Sequence, residues 1–228
     1  MTEHPLRNKN IIVYGTPRSG STLFLKLMEQ AIEQSGEVIP IVLKEFFSPR
    51  NDDALYDRIG LLKKHKVHCL LLKLFVGHIE FCPELIEFLE PCDKNILIHL
   101  SRKNKYHVLI SGIRKDMTRN DFGDFNPVPP LEFFPKDANH QRFVKSYINE
   151  ILNESKYSND NMIKVFYEDF SQNPQQTIER FVELKCPLYI PMKKQIMDHN
   201  NVFVNQHTLD EYIKSEYGLT KNDLINFV

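Results

Sequence analysis

The segment from Ile11 to Thr22, IIVYGTPRSGST, has the residue types and the spacing of a phosphate-binding loop. Its first four residues are apolar and predict a buried strand, and the residues from Gly15 onward predict the turn that starts a helix. The two glycines match the P-loop pattern Gly-x-x-x-x-Gly-Lys-Ser/Thr, except that Ser21 stands in the place of the lysine. Because that lysine binds the β- and γ-phosphates of a nucleotide, its replacement argues against ordinary ATP or GTP chemistry.

The groups that remain in this loop are sufficient to bind one phosphate group. Backbone N–H groups at a helix N-terminus attract an anion, and the hydroxyls of Ser19, Ser21 and Thr22 and the cation of Arg18 are further donors. A plain turn between a strand and a helix requires neither the paired glycines nor these side chains. The loop therefore predicts an anion site that works without the P-loop lysine.

A second stretch, Ile96–Ser111, combines an apolar strand pattern with an arginine and a serine. Arg102 follows the strand directly, and Ser111 comes nine residues later, on the apolar side of a predicted helix. An arginine fork and a serine hydroxyl in these places can converge on one anion. Alternatively, Arg102 caps backbone carbonyls and Ser111 bonds back to its own helix, as mid-helix serines often do.

These candidate residues lie among strand and helix patterns that alternate along the chain. The predicted strands are Ile11–Tyr14, Val38–Leu43, His68–Phe75, Asn95–Leu100 and Met162–Tyr167. The predicted helices are Thr22–Gln34, Asp52–Lys66, Glu84–Leu89, Arg102–Arg114, Asn139–Asn153, Pro174–Leu184 and Leu209–Tyr217. A stretch without periodicity, Asp116–Pro135, predicts a long loop that is functional or disordered. The alternation predicts an α/β fold, P-loop-like and three-layered (α/β/α), with a central parallel sheet of about five strands and ligands at the strands' carboxyl ends.

The composition is that of an ordinary globular chain, and its length predicts a single domain over residues 1–228. A formal net charge of −1 gives no sign of nucleic-acid or membrane binding. The four cysteines form no C-x-x-C pair, so neither a disulfide framework nor a zinc site is predicted. The first ten residues are polar, and no apolar run has the length of a membrane span, so we expect a cytoplasmic protein.

Taken together, the loop and the Arg102–Ser111 element resemble the sulfotransferase superfamily. The Pro-Arg-Ser-Gly-Ser-Thr loop looks like that family's 5′-phosphosulfate loop, and the strand-Arg-x-Asn-x6-Ser element is similar to its 3′-phosphate element. The Arg-x-Asn detail and the gap to the serine most resemble the bacterial trehalose-type and nodulation-factor-type enzymes. Further segments that fit the family, in the same order, are Lys44–Phe47, Val165–Pro174, and Lys194–Gln195 with Asn205 and Leu209–Tyr212.

The resemblance implies 3′-phosphoadenosine 5′-phosphosulfate (PAPS) as the donor and 3′-phosphoadenosine 5′-phosphate as the product. The implied chemistry is in-line attack of an acceptor hydroxyl on sulfur, in which the protein positions the groups and stabilises charge on the leaving oxygen. Arg18 is the implied transition-state cation, and the sulfuryl group requires no bridging magnesium. The residues implied to bind the donor are Pro17, Arg18, Ser19, Gly20, Ser21, Thr22, Arg102, Ser111, Lys194 and Gln195.

The acceptor hydroxyl needs a general base, and the sequence offers more than one. Glu45 matches the glutamate that has this role in the trehalose-type enzymes, although a solvated carboxylate paired with Lys44 explains it equally well. His78, after the third strand, is the better of two histidine rivals, since His107 lies within a helix. Lys73 interrupts an apolar run, so it should reach a pocket or a carboxylate, and it also resembles a family lysine.

The acceptor itself is not identified by the sequence, although a carbohydrate or a small alcohol is the expectation from the resemblance. The segment after Glu45 and the Asp116–Pro135 loop are candidates to bind it. The phenylalanines of that loop form either an apolar wall for the acceptor or anchors to the core; they are Phe122, Phe125, Phe133 and Phe134. The C-terminal Gly-x-x-Gly-x-Trp-Lys pattern of the cytosolic branch is absent, and the chain has no tryptophan, which excludes close kinship with that branch. Monomer and homodimer both stay open.

Two other functions remain as alternatives. A small-molecule kinase with a degenerate P-loop would need a magnesium-binding aspartate, for which Asp169 is the candidate, and a replacement for the lysine. We expect instead that Glu168 and Asp169 end the fifth strand and cap the helix near Pro174. A non-catalytic module that has lost its donor is the other alternative, and the presence of Arg18 and Arg102 argues against it.

Overall fold

The computed structural model describes residues 5–43, 68–118, 130–189 and 202–227. The chain divides into two compact units. The sheet unit comprises Met1–Gly15, Gly20–Ser101 and Glu154–Pro191, and the helical unit comprises Thr16–Ser19, Arg102–Asn153 and Met192–Val228. The expectation of a single domain over residues 1–228 stays a prediction.

The elements of the described residues follow the alternation expected from the sequence. The strands are β1 (Lys9–Tyr14), β2 (Ile39–Leu43), β3 (His68–Leu74), β4 (Asn95–Ser101) and β5 (Ile163–Phe166). The α-helices are α1 (Ser21–Ser35), α2 (Val76–Phe81), α3 (Lys105–Thr118), α4 (Ala138–Leu152), α5 (Tyr167–Gln172), α6 (Pro174–Glu179), α7 (Gln206–Tyr217) and α8 (Lys221–Ile225), with 3-10 helices at Pro83–Leu89 and Glu154–Tyr157. Among the described residues, no helix combines the length and the apolar character needed to cross a bilayer.

The sheet unit contains five parallel strands in the order β2-β3-β1-β4-β5. β1 is the central strand, and its residues Ile11 to Tyr14 are at most 1% exposed. From β1 the chain first builds one side of the sheet and then crosses to the other side. The carboxyl end of β1 therefore lies at the topological switch point, where α/β folds bind ligands.

Helices of the sheet unit cover both faces of this sheet. On one face, Ile11 and Val13 pack in an apolar cluster with α1 residues such as Phe24. On the other face, Ile12 and Tyr14 pack with residues of α2 and of the 3-10 helix that follows it. Because both faces are covered, the strands are apolar along most of their length instead of alternating. The predicted α/β fold with three layers and a parallel sheet of about five strands is confirmed.

The helical unit has an apolar core of its own, in which α3 packs against α4 and α8. Phe133 is fully buried in this core. The Asn205 side chain accepts from the Phe133 N–H (2.8 Å) and donates to its carbonyl (2.7 Å). Phe133 is therefore an anchor to the core, one of the two roles left open for it, whereas Phe134 is 50% exposed. Phe122 and Phe125 lie outside the described residues.

The predicted bounds of the helix after Arg102 were wrong at both ends. α3 starts later than expected because the Asn104 side chain accepts from the His107 N–H (3.0 Å), in the manner of an N-cap. It runs on through Asp116 to Thr118, in a stretch predicted to be loop, because Met117 packs against the apolar core of the helical unit. Residues 119–129 of the predicted loop lie outside the described residues, as does the predicted helix at 52–66.

Other local predictions were also wrong. Glu168 and Asp169 lie in the first turn of α5 and not at the end of β5, and the N-cap position of α6 is occupied by Asn173. α6 ends at Glu179 rather than at Leu184. The helix predicted over 84–89 is a 3-10 helix, and α2, α5 and α8 were not predicted.

Both ends of α1 depend on a glycine in the left-handed conformation. Gly20 has φ 89° at the N-cap, and Gly36 has φ 68° at the C-cap. A Cβ on Gly20 would overlap Cδ2 of Tyr167 and lie 2.6 Å from its Cε2, whereas a Cβ on Gly36 would meet nothing within 4 Å. Gly20 is therefore required both by its left-handed backbone and by the close approach of the Tyr167 ring. Gly36 is required by its left-handed backbone alone.

We predict that Gly20→Ala destabilises the protein more than Gly36→Ala. Both substitutions place an alanine in the left-handed region, at a cost of about 1–2 kcal/mol. Gly20→Ala adds overpacking against the Tyr167 ring, which costs about 1–3 kcal/mol more. Urea unfolding of the two variants measures this difference, and equal losses would show that the Tyr167 ring moves aside freely.

Candidate functional site

The loop between β1 and α1 is a tight backbone turn. The Gly15 N–H donates to the carbonyl of Leu74 at the end of β3 (3.2 Å), and the Ser19 N–H donates to the carbonyl of Thr16 (3.3 Å). Arg18 has φ 70°, so it is left-handed like the glycine two positions later. For an arginine this conformation costs about 1–2 kcal/mol, and such strain is concentrated at functional sites.

Two hydroxyls of this loop are buried without a partner. Thr16 and Ser19 are both 0% exposed. Neither hydroxyl has a hydrogen-bond partner within residues 5–43, 68–118, 130–189 and 202–227. A buried hydroxyl left without a bond costs about 1–3 kcal/mol, so a ligand that accepts hydrogen bonds here would recover that free energy.

Arg18 contacts the second motif of the sequence. Its Nε and Nη2 both donate to Oγ of Ser111 on α3, each at 3.2 Å. Two N–H groups then occupy the oxygen of Ser111, and its own O–H is left as a donor for a further group. The loop residue and the helix residue that were predicted to bind anions therefore lie side by side in the helical unit.

Arg102 and Asn104 have different local roles in the same unit. Arg102 is half-buried and directly follows β4, the strand that pairs with β1. Asn104 caps α3, so its place in the Arg-x-Asn pattern is explained by the start of the helix as well as by any ligand. His107 is half-buried within the first turn of α3.

Comparison with protein-family models, with curated proteins and with solved structures returned no match to the chain. The likeness to sulfotransferases therefore remains a resemblance of motifs, and what it implies about the donor and the site stays a prediction.

Lys73 and His78 both lie near the ring of Phe75 in the sheet unit. Lys73, on β3, is 5% exposed, and its Nζ lies 5.5 Å from the centre of the Phe75 ring. The His78 ring, on α2, is 4.8 Å from the same ring, centre to centre. An aromatic face stabilises the lysine cation, so the Phe75 ring is one contact of Lys73, and the expectation that Lys73 reaches a pocket or a carboxylate stays a prediction.

The other predicted site residues are described only in part. Ser21 is buried at the first position of α1, Thr22 is exposed beside it, and Pro17 is half-buried in the loop. Glu45, Lys194 and Gln195 lie outside the described residues.

Three residues that the sequence did not single out belong to the surroundings of Arg18. Thr16 is one of the buried hydroxyls, and its place inside the glycine-framed loop was a signal that could have found it. Asp116 and Tyr147 interact with each other and, through their charges, with Arg18. No sequence pattern links them, because one was assigned to a loop and the other to a helix 31 positions later.

We predict that Thr16→Val raises the free energy of unfolding of the ligand-free protein by about 1 kcal/mol, because it removes a buried hydroxyl that has no partner in the part of the chain that the structure describes. Thr177→Val is the matched control. Thr177 is also buried, but its hydroxyl donates to the Asn173 carbonyl (2.9 Å), so this change should cost about 1 kcal/mol. Chemical denaturation measures both, and a loss in Thr16→Val as large as in Thr177→Val would contradict the assignment.

Proposed function

We propose that this chain is a PAPS-dependent sulfotransferase that transfers a sulfuryl group to an acceptor hydroxyl. In the proposed reaction the acceptor oxygen attacks sulfur in line, and the bond between sulfur and the bridging oxygen breaks. The 3′-phosphoadenosine 5′-phosphate leaves with the electron pair, and the acceptor proton passes to a general base.

The contact between Arg18 and Ser111 is the observation that carries the proposal. The two residues are 93 positions apart and belong to two motifs whose association rested on resemblance alone. A donor with a phosphosulfate at one end and a 3′-phosphate at the other requires such motifs to be close together. Their adjacency therefore supports a ligand with more than one anionic group.

The buried hydroxyls of Thr16 and Ser19 support the same ligand. Together with the backbone N–H groups at the start of α1, they would donate to the phosphosulfate, and Arg18 would stabilise charge on the leaving oxygen. Arg102 and Ser111 would bind the 3′-phosphate. Ser21 in the lysine position suits a donor without a γ-phosphate.

The acceptor is proposed to be a carbohydrate or a small alcohol, and the site of action the cytoplasm. Acceptor screening with ³⁵S-labelled PAPS would identify the substrate directly. Incorporation into sugars or small alcohols would support this part of the proposal, and incorporation into peptide tyrosine alone would overturn it.

Calorimetric titration with adenosine 3′,5′-bisphosphate and with ATP plus magnesium tests the proposed function. We expect the bisphosphate to bind without metal. Binding of ATP–magnesium alone would indicate a kinase with a degenerate P-loop, and binding of neither nucleotide would indicate a module that has lost its donor.

We predict that Arg102→Ala weakens bisphosphate binding by about 1.5–3 kcal/mol, as expected for loss of a hydrogen bond to a charged group. Arg180→Ala, at an exposed arginine whose guanidinium lies over the Phe181 ring, is the control and should leave the affinity unchanged. An unchanged affinity in Arg102→Ala, measured by the same titration, would remove Arg102 from the site.

We predict that Glu45→Gln lowers the rate of sulfate transfer about 100-fold or more while bisphosphate affinity is retained, because loss of a general base removes that much rate. His78→Gln distinguishes the rival base. A wild-type rate in Glu45→Gln together with a large loss in His78→Gln would assign the role to the histidine.

A further inference from the structure

One surface of the sheet unit, formed by α2 and the 3-10 helix that follows it, combines exposed apolar side chains with carboxylates. Phe81 is 61% exposed and Ile86 is 45% exposed, whereas two leucines of the same 3-10 helix are buried in the core. From Leu74 to Asp93 the chain has five carboxylates and neither lysine nor arginine, although its formal net charge is only −1. An exposed apolar centre with a charged border is typical of a protein-binding surface. We call residues 76–90 the acidic surface.

The 3-10 helix arranges three carboxylates of the acidic surface in a row. Three residues complete one turn of such a helix, with a rise of about 2 Å per residue, so side chains three positions apart project from one side about 6 Å apart. Glu84 and Glu87 have this spacing, and Glu90 follows at the C-cap. All three are exposed, and neither Glu87 nor Glu90 forms an ion pair with another residue in the described part of the chain. The row therefore presents negative charge to solvent.

Two asparagine side chains from neighbouring segments fix the end of the 3-10 helix. Nδ2 of Asn95 donates to the carbonyls of Phe88 and Glu90, and Nδ2 of Asn159 donates to the carbonyl of Leu89, each at 3.2 Å. These bonds satisfy carbonyls that a helix leaves without an internal partner at its C-terminus. The acidic surface is therefore held in shape before any partner arrives, which reduces the entropy that binding would cost.

The negative charge decides which class of partner the acidic surface fits. Nucleic acids and anionic bilayers carry charge of the same sign, so both are repelled. A small cation would leave the two apolar side chains uncovered. A basic amphipathic helix meets both requirements, because its cationic side chains at positions i and i+4 are about 5–6 Å apart, close to the spacing of Glu84 and Glu87. Its apolar residues would cover Phe81 and Ile86.

We propose that the acidic surface is a docking site for a basic amphipathic helix of a partner protein. Phe81 and Ile86 supply the apolar contact, and the carboxylates of Glu84, Glu87 and Glu90 orient the helix. Since exposed charges are screened by salt, the affinity should fall as the ionic strength rises. The docking site does not depend on the proposed function.

The experiment titrates the full chain with three labelled synthetic peptides of about 18 residues, a length at which helices form in isolation. The first peptide combines leucine with lysine in an amphipathic pattern, the second replaces its lysines by glutamate, and the third replaces its leucines by alanine. Fluorescence anisotropy measures the affinity of each. One variant removes the apolar contact and another removes the row of charges; they are Phe81→Ser with Ile86→Ser, and Glu84→Gln with Glu87→Gln and Glu90→Gln.

Two matched controls make the same chemical changes elsewhere on the surface. The apolar control replaces two side chains that are 66% and 74% exposed, by Ile39→Ser with Val204→Ser. The charge control removes three exposed carboxylates from other helices and loops, by Glu183→Gln with Glu211→Gln and Glu216→Gln. Because all the replaced side chains are exposed, the melting temperatures of the four variants should stay close to that of the wild type.

We expect the leucine–lysine peptide to bind the wild type and both controls equally, and about tenfold or more weakly to each variant of the acidic surface. The glutamate and alanine peptides should not bind. Equal affinity in the wild type and both variants of the acidic surface would overturn the proposal, and so would a wild type that does not bind the leucine–lysine peptide. Sedimentation of the ligand-free protein tests the other occupant. A dimer that Phe81→Ser with Ile86→Ser abolishes would assign the surface to a second copy of this chain and would also overturn the proposal.

Discussion

The burial of the last four residues of β1, Ile11–Tyr14, is the constraint on which the rest of the sheet unit depends. The strand is paired on both edges, by β3 and β4, and covered on both faces by helices, so its backbone and side chains have one possible register. The side chain of its last residue, Tyr14, is also fixed, by a hydrogen bond. The Tyr14 hydroxyl donates to the Glu154 carbonyl (2.7 Å), and the Glu154 carboxylate lies 3.1 Å from Nε2 of His99. The loop that follows therefore starts from a fixed point.

Around Arg18 the helical unit contains polar groups that a purely structural core would not need. Among the described residues, the hydroxyls of Thr16 and Ser19 are buried without a partner, and Arg18 has a left-handed backbone. Each of these features lowers stability in the absence of a ligand. Their concentration in one loop is typical of a site whose cost is recovered when a ligand binds.

The sequence predicted the sheet better than the surroundings of Arg18. Strands buried on both faces are uninterrupted apolar runs, so β1, β3 and β4 were located within one or two residues. Helix ends were less certain because they depend on single side chains, such as the Asn104 cap, or on packing with distant residues, such as Met117 in the core.

The candidate site was predictable to the extent that it lies in short motifs. Arg18, Ser19 and Ser111 were found from their spacing, and the contact between Arg18 and Ser111 agrees with that selection. The electrostatic interaction of Asp116 and Tyr147 with Arg18 was missed because it depends on the packing of α3 against α4, at a glycine that the sequence marks only by its small size. Composition around Asp116 favoured a loop, and tertiary packing overrode it.

The contact between Gly20 and Tyr167 has a consequence for the order in which the chain folds. The loop lies early in the chain, but the residues that contact it and the preceding strand end are synthesised much later. Ser111 follows Arg18 by 93 residues, and Glu154 follows Tyr14 by 140. Tyr167 comes later still. During synthesis from the N-terminus, strand and helix patterns on either side of the loop exist long before the residues that give it its shape. The loop is therefore among the last parts of the molecule to take its final shape, and a truncated chain that ends before β5 would lack its contact with Tyr167.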